Sequence, residues 1–488
     1  MSENKKPFYI TTTLPYVNST PHVGFAMEVI RADAIARYKK QSGHDVYFNT
    51  GTDEHGIKIH QKAQELGKDT QAFVDENAQA FKDLKEKLNL SYDTEEIDGR
   101  FIRTTDEDHK LAAQAFWTKC KENGFIYKKN YKGLYCVGCE MFVTEKELVN
   151  GECPNHPGTK PQEIEEENYF FKFSEFGDEL LKYFEENPTF VTPEGRLNEM
   201  KAMIKNGLED FSISRLKEKL PWGVGVPDDE NQVMYVWFDA LVDYISTLGW
   251  PEDKDGKFKK YWEEGEVVQI CGKDNTQHQS LRWQAMLKAA GLPYSNRILV
   301  NGFITSGGQK MSKTLGNVIN PNDIVDEYGT DALRYYVLRE LSPNEDSDFT
   351  MERFKEAYTA NLVNGIGNLT NRIMKLAEDY LEEPVDVSDK QKFFTQYSEP
   401  FDNFDYRIAI DGTWDGIKYV DEKIQKEEPF KVVKEDLERG KEMIKELVGH
   451  LAEVEYHLRP FLPDASEKIR KAIAENKKPT EPIFARKD

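Results

Sequence analysis

The chain has 488 residues, of which 39% are hydrophobic and 31% are charged, so we expect a globular protein of about three domains. Its formal net charge of -22 argues against non-specific binding to nucleic acid, although an enzyme that recognises one RNA by shape is not excluded. No run approaches the roughly 20 apolar residues of a membrane span, no signal or transit peptide is recognisable, and the 5 cysteines suit a reducing compartment. We therefore expect a cytoplasmic protein that contacts no membrane.

The first elements predict a βαβ unit. Residues 8–14 have a strand pattern, a helix is expected to begin near His22, and a second strand covers residues 45–51. Such a unit belongs to a parallel sheet, which binds ligands at the carboxyl ends of its strands and phosphates near helix N-termini. Residues 15–25 occupy that place. For His22 taken alone, a helix-capping histidine is the favoured interpretation.

The sequence TDEHG at residues 52–56 follows the second strand. Carboxylates at a strand end could hold the ammonium group of a substrate. The alternative is a helix N-cap, in which Thr52 or Asp53 accepts hydrogen bonds from the first amides of a helix.

A CxxC pair and a CxxH pair follow at a spacing typical of a zinc site. The four candidate ligands are Cys136, Cys139, Cys153 and His156. Two such halves place four soft ligands around one ion and predict one structural Zn²⁺ per chain. Because the protein fills all four positions, no position remains for a catalytic water. The alternative is a set of incidental thiols, as we expect of Cys120 and Cys271, which are predicted to be buried apolar residues.

Strand patterns resume after this segment. Residues 232–238 are strand-like, residues 266–272 form a strand that ends in the sequence GKD, and a helix is expected over residues 279–290. A further strand, residues 298–303, leads into a glycine-containing loop. The cysteine segment is therefore predicted to be an insertion into one catalytic domain.

Two lysines follow that loop, Lys310 and Lys313. Two ammonium groups on a glycine-hinged loop can close over a polyphosphate and neutralise charge as it develops. For an arbitrary K-x-x-K spacing a solvated basic loop is the simpler explanation. The full string KMSKT after a strand is far more specific.

The C-terminal third is predicted to be helical. Residues 362–380 have an amphipathic pattern with a polar stripe that includes Asn368 and Arg372, and further helices are expected over residues 406–426 and 433–458. A bundle of this kind could bind RNA, or it could serve docking or oligomerisation.

In this order the motifs resemble those of the methionyl-tRNA synthetase family, which is part of the class I aminoacyl-tRNA synthetases. The resemblance extends from about residue 7 to residue 475 and includes a HIGH-like loop at residues 22–25, TDEHG, the cysteine segment, SISR, YVWFDAL, GKD, KMSKT and DALRYY. It implies activation of L-methionine by ATP, with Mg²⁺, to methionyl-adenylate, followed by transfer to tRNA(Met). The enzyme would then be an AMP-forming methionine–tRNA ligase.

The resemblance also implies roles for individual residues. ATP would be contacted by His22, Gly24, Gly272, Asp274, Lys310 and Lys313, of which His22 and the two lysines would be catalytic. Methionine would be bound by Leu14, Tyr16, Asp53, Trp237, Ala240 and Tyr244, with Asp53 on its ammonium group. The anticodon would be read by Asn368, Arg372 and Phe430. For Trp237 or Tyr244 taken singly, an ordinary core position is the alternative.

Four positions depart from the family pattern. Phe25 stands where the family has the second histidine of HIGH. Gln279 and Arg282 stand where the family usually has a histidine and an aromatic residue, although a shift of one residue would offer His278 instead. Phe430 replaces a tryptophan but still offers a stacking face.

The predicted fold is α/β, with a Rossmann-like parallel-sheet catalytic domain, an inserted zinc-binding connective domain and an α-helical anticodon-binding bundle. The expected division is residues 1–118 and 226–325 for the catalytic halves, 119–225 for the insertion, 326–355 for a stem-contact region and 356–488 for the bundle. A monomer is expected. Two other hypotheses stay open: a non-catalytic RNA-binding paralogue, and an enzyme that activates a small carboxylate without tRNA.

Overall fold

The computed structural model describes residues 5–136, 141–143, 145, 148–154, 158, 160–311 and 317–487, with the backbone only at residues 141, 142 and 310. The chain divides into two compact units. Unit 1 comprises Met1–Thr20, His44–Asp83 and Tyr92–Asn301, and unit 2 comprises Pro21–Gly43, Leu84–Ser91 and Gly302–Asp488.

A six-stranded parallel sheet forms the centre of unit 1. Across the sheet its strands are Asp98–Arg103, Val46–Thr52, Phe8–Thr12, Glu266–Gly272, Arg297–Asn301 and Val191–Thr192. Every residue of Phe8–Thr12 and Val46–Thr52 is buried, as expected of parallel strands covered on both faces. The prediction of a parallel α/β catalytic sheet is confirmed.

The first strand of the sheet pairs directly with a strand more than half the chain away. Phe8 is in register with Glu266, and Thr12 is in register with Ile270. The intervening chain contributes Val46–Thr52 and Asp98–Arg103 to one side of this pair and Val191–Thr192 to the opposite edge, and it also builds sheets of its own. The sheet is therefore interrupted and resumed, as the strand patterns predicted.

Two antiparallel sheets lie within that intervening chain. One has the order Met141–Val143, Ile126–Cys136, Gln162–Phe171 and Phe211–Ser212, and the other has the order Gly225–Val226, Asp229–Met234 and Ser214–Leu216. The predicted strand over residues 232–238 is wrong beyond Met234, because the chain turns into the helix Val236–Ala240, where the Tyr235 carbonyl accepts hydrogen bonds from the amides of Phe238 and Asp239. The run of apolar residues there does not alternate, so periodicity alone could not separate strand from helix.

The remaining helices of unit 1 are short. The α-helices are Ile57–Glu65, Thr70–Lys82, Glu107–Glu122, Gly177–Glu186, Glu194–Lys205, Asp243–Ser246 and Trp283–Ala289. Phe173–Phe176 is a 3₁₀ turn, and Phe258–Glu263 and His278–Arg282 are π-helical.

Unit 2 combines the helix that follows His22, a small sheet and a C-terminal helical region. The helix Val23–Gln41 begins at the HIGH-like loop, and the sheet has the order Gln309–Lys310, Ile304–Ser306 and Ser347–Asp348. The other α-helices are Leu84–Lys87, Pro321–Tyr328, Thr330–Tyr335, Met351–Ala357, Asn368–Tyr380, Thr395–Asp402, Tyr406–Glu427, Pro429–Glu435, Leu437–Leu458 and Pro463–Glu475. Tyr336–Glu340 and Tyr358–Gly367 are π-helical, and Ser388–Lys390 is a 3₁₀ turn.

The predicted helical C-terminal region is confirmed, with one correction. The helix expected over residues 433–458 is broken, because the side chain of Asp436 accepts a hydrogen bond from the Arg439 amide and caps a new helix. Within the described residues no helix is both long and apolar enough to cross a membrane. The five-part domain division stays a prediction.

Candidate active site

The carboxyl ends of the central strands carry the GKD turn. Gly272 pairs with Asn301 at the ends of neighbouring strands, and the Lys273 amide donates to the Asn301 carbonyl at 3.1 Å. A Cβ atom on Gly272 would lie 2.7 Å from Oδ1 of Asp274. Glycine at this position therefore lets the Asp274 carboxylate fold over the strand end, where the resemblance places the ribose of ATP.

The loop that carries Tyr16 is joined to Asp53 by backbone hydrogen bonds. The Asp53 amide donates to the Pro15 carbonyl at 2.9 Å, and the Val17 amide donates to the Asp53 carbonyl at 3.1 Å. Asp53 is buried. The alternative N-cap role for Thr52 or Asp53 is wrong, because the next helix begins at Ile57 with Gly56 as its N-cap at a φ of 117°.

Glu54 and His55 have partners within unit 1. The Glu54 carboxylate accepts hydrogen bonds from Nε and Nη2 of Arg103 at 2.7 and 2.8 Å. His55 Nδ1 lies 3.1 Å from Oδ2 of Asp239. Burial raises the pKa of Asp239, and the nearby His55 opposes that shift. These two members of the TDEHG motif are therefore held by other residues of unit 1. The resemblance assigns the substrate ammonium to Asp53.

The Trp237 indole stacks face to face on the imidazole of His278. The ring centroids are 3.9 Å apart and the planes differ by 9°. Ala240 lies one helical turn after Trp237 on the helix Val236–Ala240. The aromatic wall expected near the methionine side chain is therefore a pair of stacked rings, one from each of two helices.

Gln279 connects two further segments of the predicted pocket. Its Nε2 donates to Oη of Tyr244 at 2.8 Å and to Oγ1 of Thr13 at 3.0 Å. Thr13 immediately precedes Leu14. His278 and Gln279 share a π-helical turn, a feature frequent at functional sites. Both contact residues that are predicted to bind methionine. The residues that the two alignments offered, Gln279 and His278, therefore both lie next to residues of the predicted pocket.

Arg282 lies in the same turn and has aromatic and imidazole neighbours. Its guanidinium carbon is 4.7 Å from the ring centroid of Phe211, and its Nη1 is 3.4 Å from Nδ1 of His278. Burial, assisted by the charge of Arg282, lowers the pKa of His278 well below its ordinary value. His278 is therefore a neutral imidazole at physiological pH.

In unit 2, His22 caps the helix that follows it. Its Nδ1 accepts a hydrogen bond from the Gly24 amide at 3.0 Å, so the helix-capping role considered for it is confirmed. A Cβ on Gly24 would lie 2.8 Å from the His22 ring, so this cap needs glycine. An imidazole that accepts at Nδ1 carries its hydrogen on Nε2. The cap therefore leaves the opposite ring nitrogen as a donor suited to a phosphate oxygen.

The lysine segment begins on a tight hairpin. Ile304–Ser306 pairs with Gln309–Lys310 across Gly307 and Gly308, whose φ values are 62° and 72°. Two residues in the left-handed region are typical of a two-residue hairpin turn and favour glycine. The side chain of Lys310 and the whole of Lys313 lie outside what the structure describes. Beyond residues 312–316, the Ile319 carbonyl accepts a hydrogen bond from the Val23 amide at 3.0 Å.

Two of the four predicted zinc ligands fall within the described residues. Cys136 and Cys153 belong to one small buried cluster together with Val143, which suits a closed structural site. Cys139 and His156 lie outside the described residues. Cys120 and Cys271 are fully buried among apolar side chains, as predicted.

The predicted anticodon residues lie on the helical region of unit 2. Asn368 is exposed at the start of the helix Asn368–Tyr380, and Arg372, one turn later, forms an ion pair with Asp421. Phe430 is 39% exposed on the helix Pro429–Glu435. An exposed phenyl ring next to a bundle is available for stacking on a base.

Sequence reasoning missed several residues that support these sites. Asp239 was not singled out, although it sits in the YVWFDAL motif. Arg31 was also missed. The signal available was a cation directly between the apolar residues Ile30 and Ala32 of the helix Val23–Gln41, an unusual position for a charged side chain. No sequence signal identifies Asp348.

Comparison with known proteins gives consistent matches over nearly the whole chain. The family described as tRNA synthetases class I (M) matches residues 8–163 and 156–374. A methionine–tRNA ligase of Thermotoga maritima is 41% identical over 491 residues, which cover 97% of this chain and 76% of that protein. One from Caldanaerobacter subterraneus is 38% identical over 479 residues, which cover 95% of this chain and 73% of that protein. The solved structure of Mycobacterium tuberculosis methionyl-tRNA synthetase in complex with methionyl-adenylate matches with a TM-score of 0.88 and 32% identity, covering 99% of this chain and 100% of that one.

Proposed function

This chain belongs to the methionyl-tRNA synthetases of class I, and we propose that it activates L-methionine with ATP and transfers the methionyl group to tRNA(Met). The observation that carries this proposal is the convergence in unit 1 of a buried carboxylate and an aromatic set at the carboxyl edge of a parallel sheet. Asp53 supplies the carboxylate, and Trp237 with His278 and Tyr244 with Gln279 supply the aromatic set.

In the first step a carboxylate oxygen of methionine attacks the α-phosphorus of ATP. The bond from that phosphorus to the β-phosphate bridging oxygen breaks, and pyrophosphate leaves. The step needs positioning and charge neutralisation and no covalent protein nucleophile. His22 donates from Nε2 to a phosphate oxygen, Lys310 and Lys313 neutralise the phosphates, and Gly272 and Asp274 hold the ribose.

Methionine is held by its charge at one end and by shape at the other. Asp53 pairs with the ammonium group. A thioether is a weak hydrogen-bond acceptor, so the side chain is selected largely by apolar shape and sulfur–aromatic contact. The residues that provide this wall are Leu14, Tyr16, Trp237, Ala240 and Tyr244.

In the second step a terminal adenosine hydroxyl of tRNA attacks the methionyl carbonyl carbon, and AMP leaves. Asn368, Arg372 and Phe430 select the tRNA by its anticodon. A net charge of -22 keeps non-specific RNA binding weak, so a few local contacts carry the specificity.

Several further properties belong to this proposal. Mg²⁺ accompanies ATP as part of the substrate. One structural Zn²⁺ would be held by Cys136, Cys139, Cys153 and His156. It would join the two halves of the cysteine segment and so stabilise the insertion. The protein is proposed to be a cytoplasmic monomer with the five-part domain division given above.

The test is amino-acid-dependent exchange of pyrophosphate into ATP. We expect exchange with methionine, little with leucine or cysteine, and loss of exchange in Lys313→Ala. Exchange with leucine but not methionine would overturn the specificity, and tRNA binding without any exchange would favour a non-catalytic paralogue. Removing the chain after Glu356 should abolish tRNA charging while pyrophosphate exchange persists. If the enzyme instead activates a small carboxylate without tRNA, the intact chain should show no tRNA charging that the truncation could remove.

A further inference from the structure

The hairpin that carries Lys310 is held at its base by the carboxylate of Asp348. Oδ1 of Asp348 accepts hydrogen bonds from Oγ1 of Thr305 at 2.9 Å and from the Gly308 amide at 2.8 Å. Thr305 is the strand partner of Lys310. The carboxylate therefore binds both the strand opposite the lysine and the turn that precedes it.

Backbone pairing fixes the same segment. Ile304–Ser306 forms a parallel pair with Ser347–Asp348, and the Phe303 amide donates to Oδ1 of Asp346 at 2.9 Å. A Cβ on Gly302 would lie 2.1 Å from the Glu345 carbonyl oxygen. Glycine at position 302 therefore lets the chain before the hairpin approach the backbone of Glu345 closely.

That strand is in turn tied to the helix that begins at His22. Arg31, in the middle of the helix Val23–Gln41, is fully buried. Its guanidinium donates to the carbonyls of Ser342 at 2.9 Å, Val337 at 3.1 Å and Pro343 at 3.3 Å. A buried cation is costly unless it is hydrogen-bonded, and these carbonyls supply the bonds. Arg31 therefore fixes the chain that leads directly into Asp346 and Asp348.

The far end of the lysine segment is attached to the same helix. The Val23 amide, at the first position of that helix, donates to the Ile319 carbonyl at 3.0 Å. The hairpin that precedes residues 312–316 is therefore held by Asp348, and Ile319, which follows them, is held by the first turn of the helix capped by His22.

We propose that Asp348 is a positioning residue for methionine activation, and that it acts by fixing the hairpin whose second strand carries Lys310, with Arg31 holding Asp348 in place relative to His22. The inference rests on the proposed function. The two hydrogen bonds to Asp348 restrict the positions open to the hairpin and to the backbone of Lys310, which lowers the conformational entropy lost when the nucleotide binds. The Gly308 amide also lowers the pKa of Asp348, so the carboxylate stays ionised at neutral pH.

The experiment measures methionine-dependent pyrophosphate exchange by Asp348→Ala in two backgrounds. In the otherwise native chain we expect kcat to fall about tenfold, equivalent to about 1.4 kcal/mol, with the KM for methionine unchanged. In a Lys310→Ala background the same substitution should cost less than about twofold, because residues that act through one another are not additive. Equal losses in both backgrounds, or native kcat in Asp348→Ala, would overturn the proposal.

Two companion variants separate positioning from general stability. Thr305→Val removes one of the hydrogen bonds while the carboxylate remains, and it should give a smaller loss of kcat with the same pattern. Asp436→Ala removes a carboxylate that likewise accepts a backbone hydrogen bond in unit 2, and it should leave exchange unchanged. A loss in Asp436→Ala as large as that in Asp348→Ala would refute the positioning role. Absence of exchange in the wild-type chain would refute the proposed function and this inference with it.

Discussion

His278 stacks on Trp237 with ring centroids 3.9 Å apart and planes that differ by 9°. The stacked imidazole is buried, and behind it the guanidinium of Arg282 lies over Phe211. The cation that stands at an aromatic position of the family is therefore stacked on an aromatic ring of the insertion. The ring that packs on Trp237 is that of His278, the residue that a shift of one position in the alignment offered.

His278→Ala is expected to raise the KM for methionine about tenfold, because the loss of an aromatic stack costs about 0.5–1.5 kcal/mol and the indole gains freedom. His278→Phe keeps a stacking ring and should retain most of the native KM. Pyrophosphate exchange at varied methionine concentration measures both. An unchanged KM in His278→Ala would show that Trp237 does not contact the substrate.

Gln279→Leu should weaken methionine binding about tenfold and lower the melting temperature, because the hydroxyls of Tyr244 and Thr13 each lose the hydrogen bond from Gln279, at about 1 kcal/mol for each bond. Gln279→His can restore a ring N–H donor and should recover part of the loss. Exchange kinetics and thermal unfolding provide the two measurements. Equal behaviour of the two variants would exclude a role for the hydrogen bond itself.

Asp331 is expected to make the stability of unit 2 depend on pH. Burial, followed by the charge of Asp464, raises the pKa of Asp331 from 3.8 to about 7. A folded-state pKa above the unfolded value means that folding disfavours the charged carboxylate, so the free energy of unfolding should fall as the pH rises from about 4 to about 7 and then level off. Asp331→Asn should flatten this dependence in thermal unfolding between pH 5 and 8. Asp415→Asn, at an exposed position, should leave it unchanged.

Arg372→Met should lower kcat/KM for tRNA charging by about 10- to 100-fold, the range expected for loss of one base-reading arginine. Methionine-dependent pyrophosphate exchange should be unaffected, because that reaction needs no tRNA. Lys445→Met, which removes an exposed cation elsewhere in the bundle, serves as the control. A parallel loss of exchange in Arg372→Met would point to damage beyond RNA binding.

Cys136→Ser and Cys153→Ser should each reduce bound zinc, measured by atomic absorption, and lower the melting temperature, because structural zinc contributes directly to folding. Cys120→Ala should leave the metal content unchanged, since Cys120 packs in the apolar core of unit 1. A folded, zinc-free protein that charges tRNA at the native rate would contradict the structural zinc site.

The amino-acid sequence by itself determined the parallel sheet, the interruption of that sheet and the helical C-terminal region. These features follow from local patterns, such as the buried strand Glu266–Gly272, whose bounds were predicted as observed. Short motifs with a physical mechanism, including GKD and the glycine-containing loop before Lys310, also predicted which residues lie at strand ends and turns.

Only the tertiary structure decided which side chains bind one another. It assigned Glu54 to Arg103 and His55 to Asp239. It also showed that His278 stacks on Trp237 and that Gln279 donates a hydrogen bond to Tyr244. It also revealed Asp348, whose partners at Thr305 and Gly308 lie about forty residues earlier in the chain. The physical reason is that the period of a strand or helix is set by neighbours in sequence, whereas a buried hydrogen bond or a ring stack is set by groups that only the packed fold brings within about 3 or 4 Å.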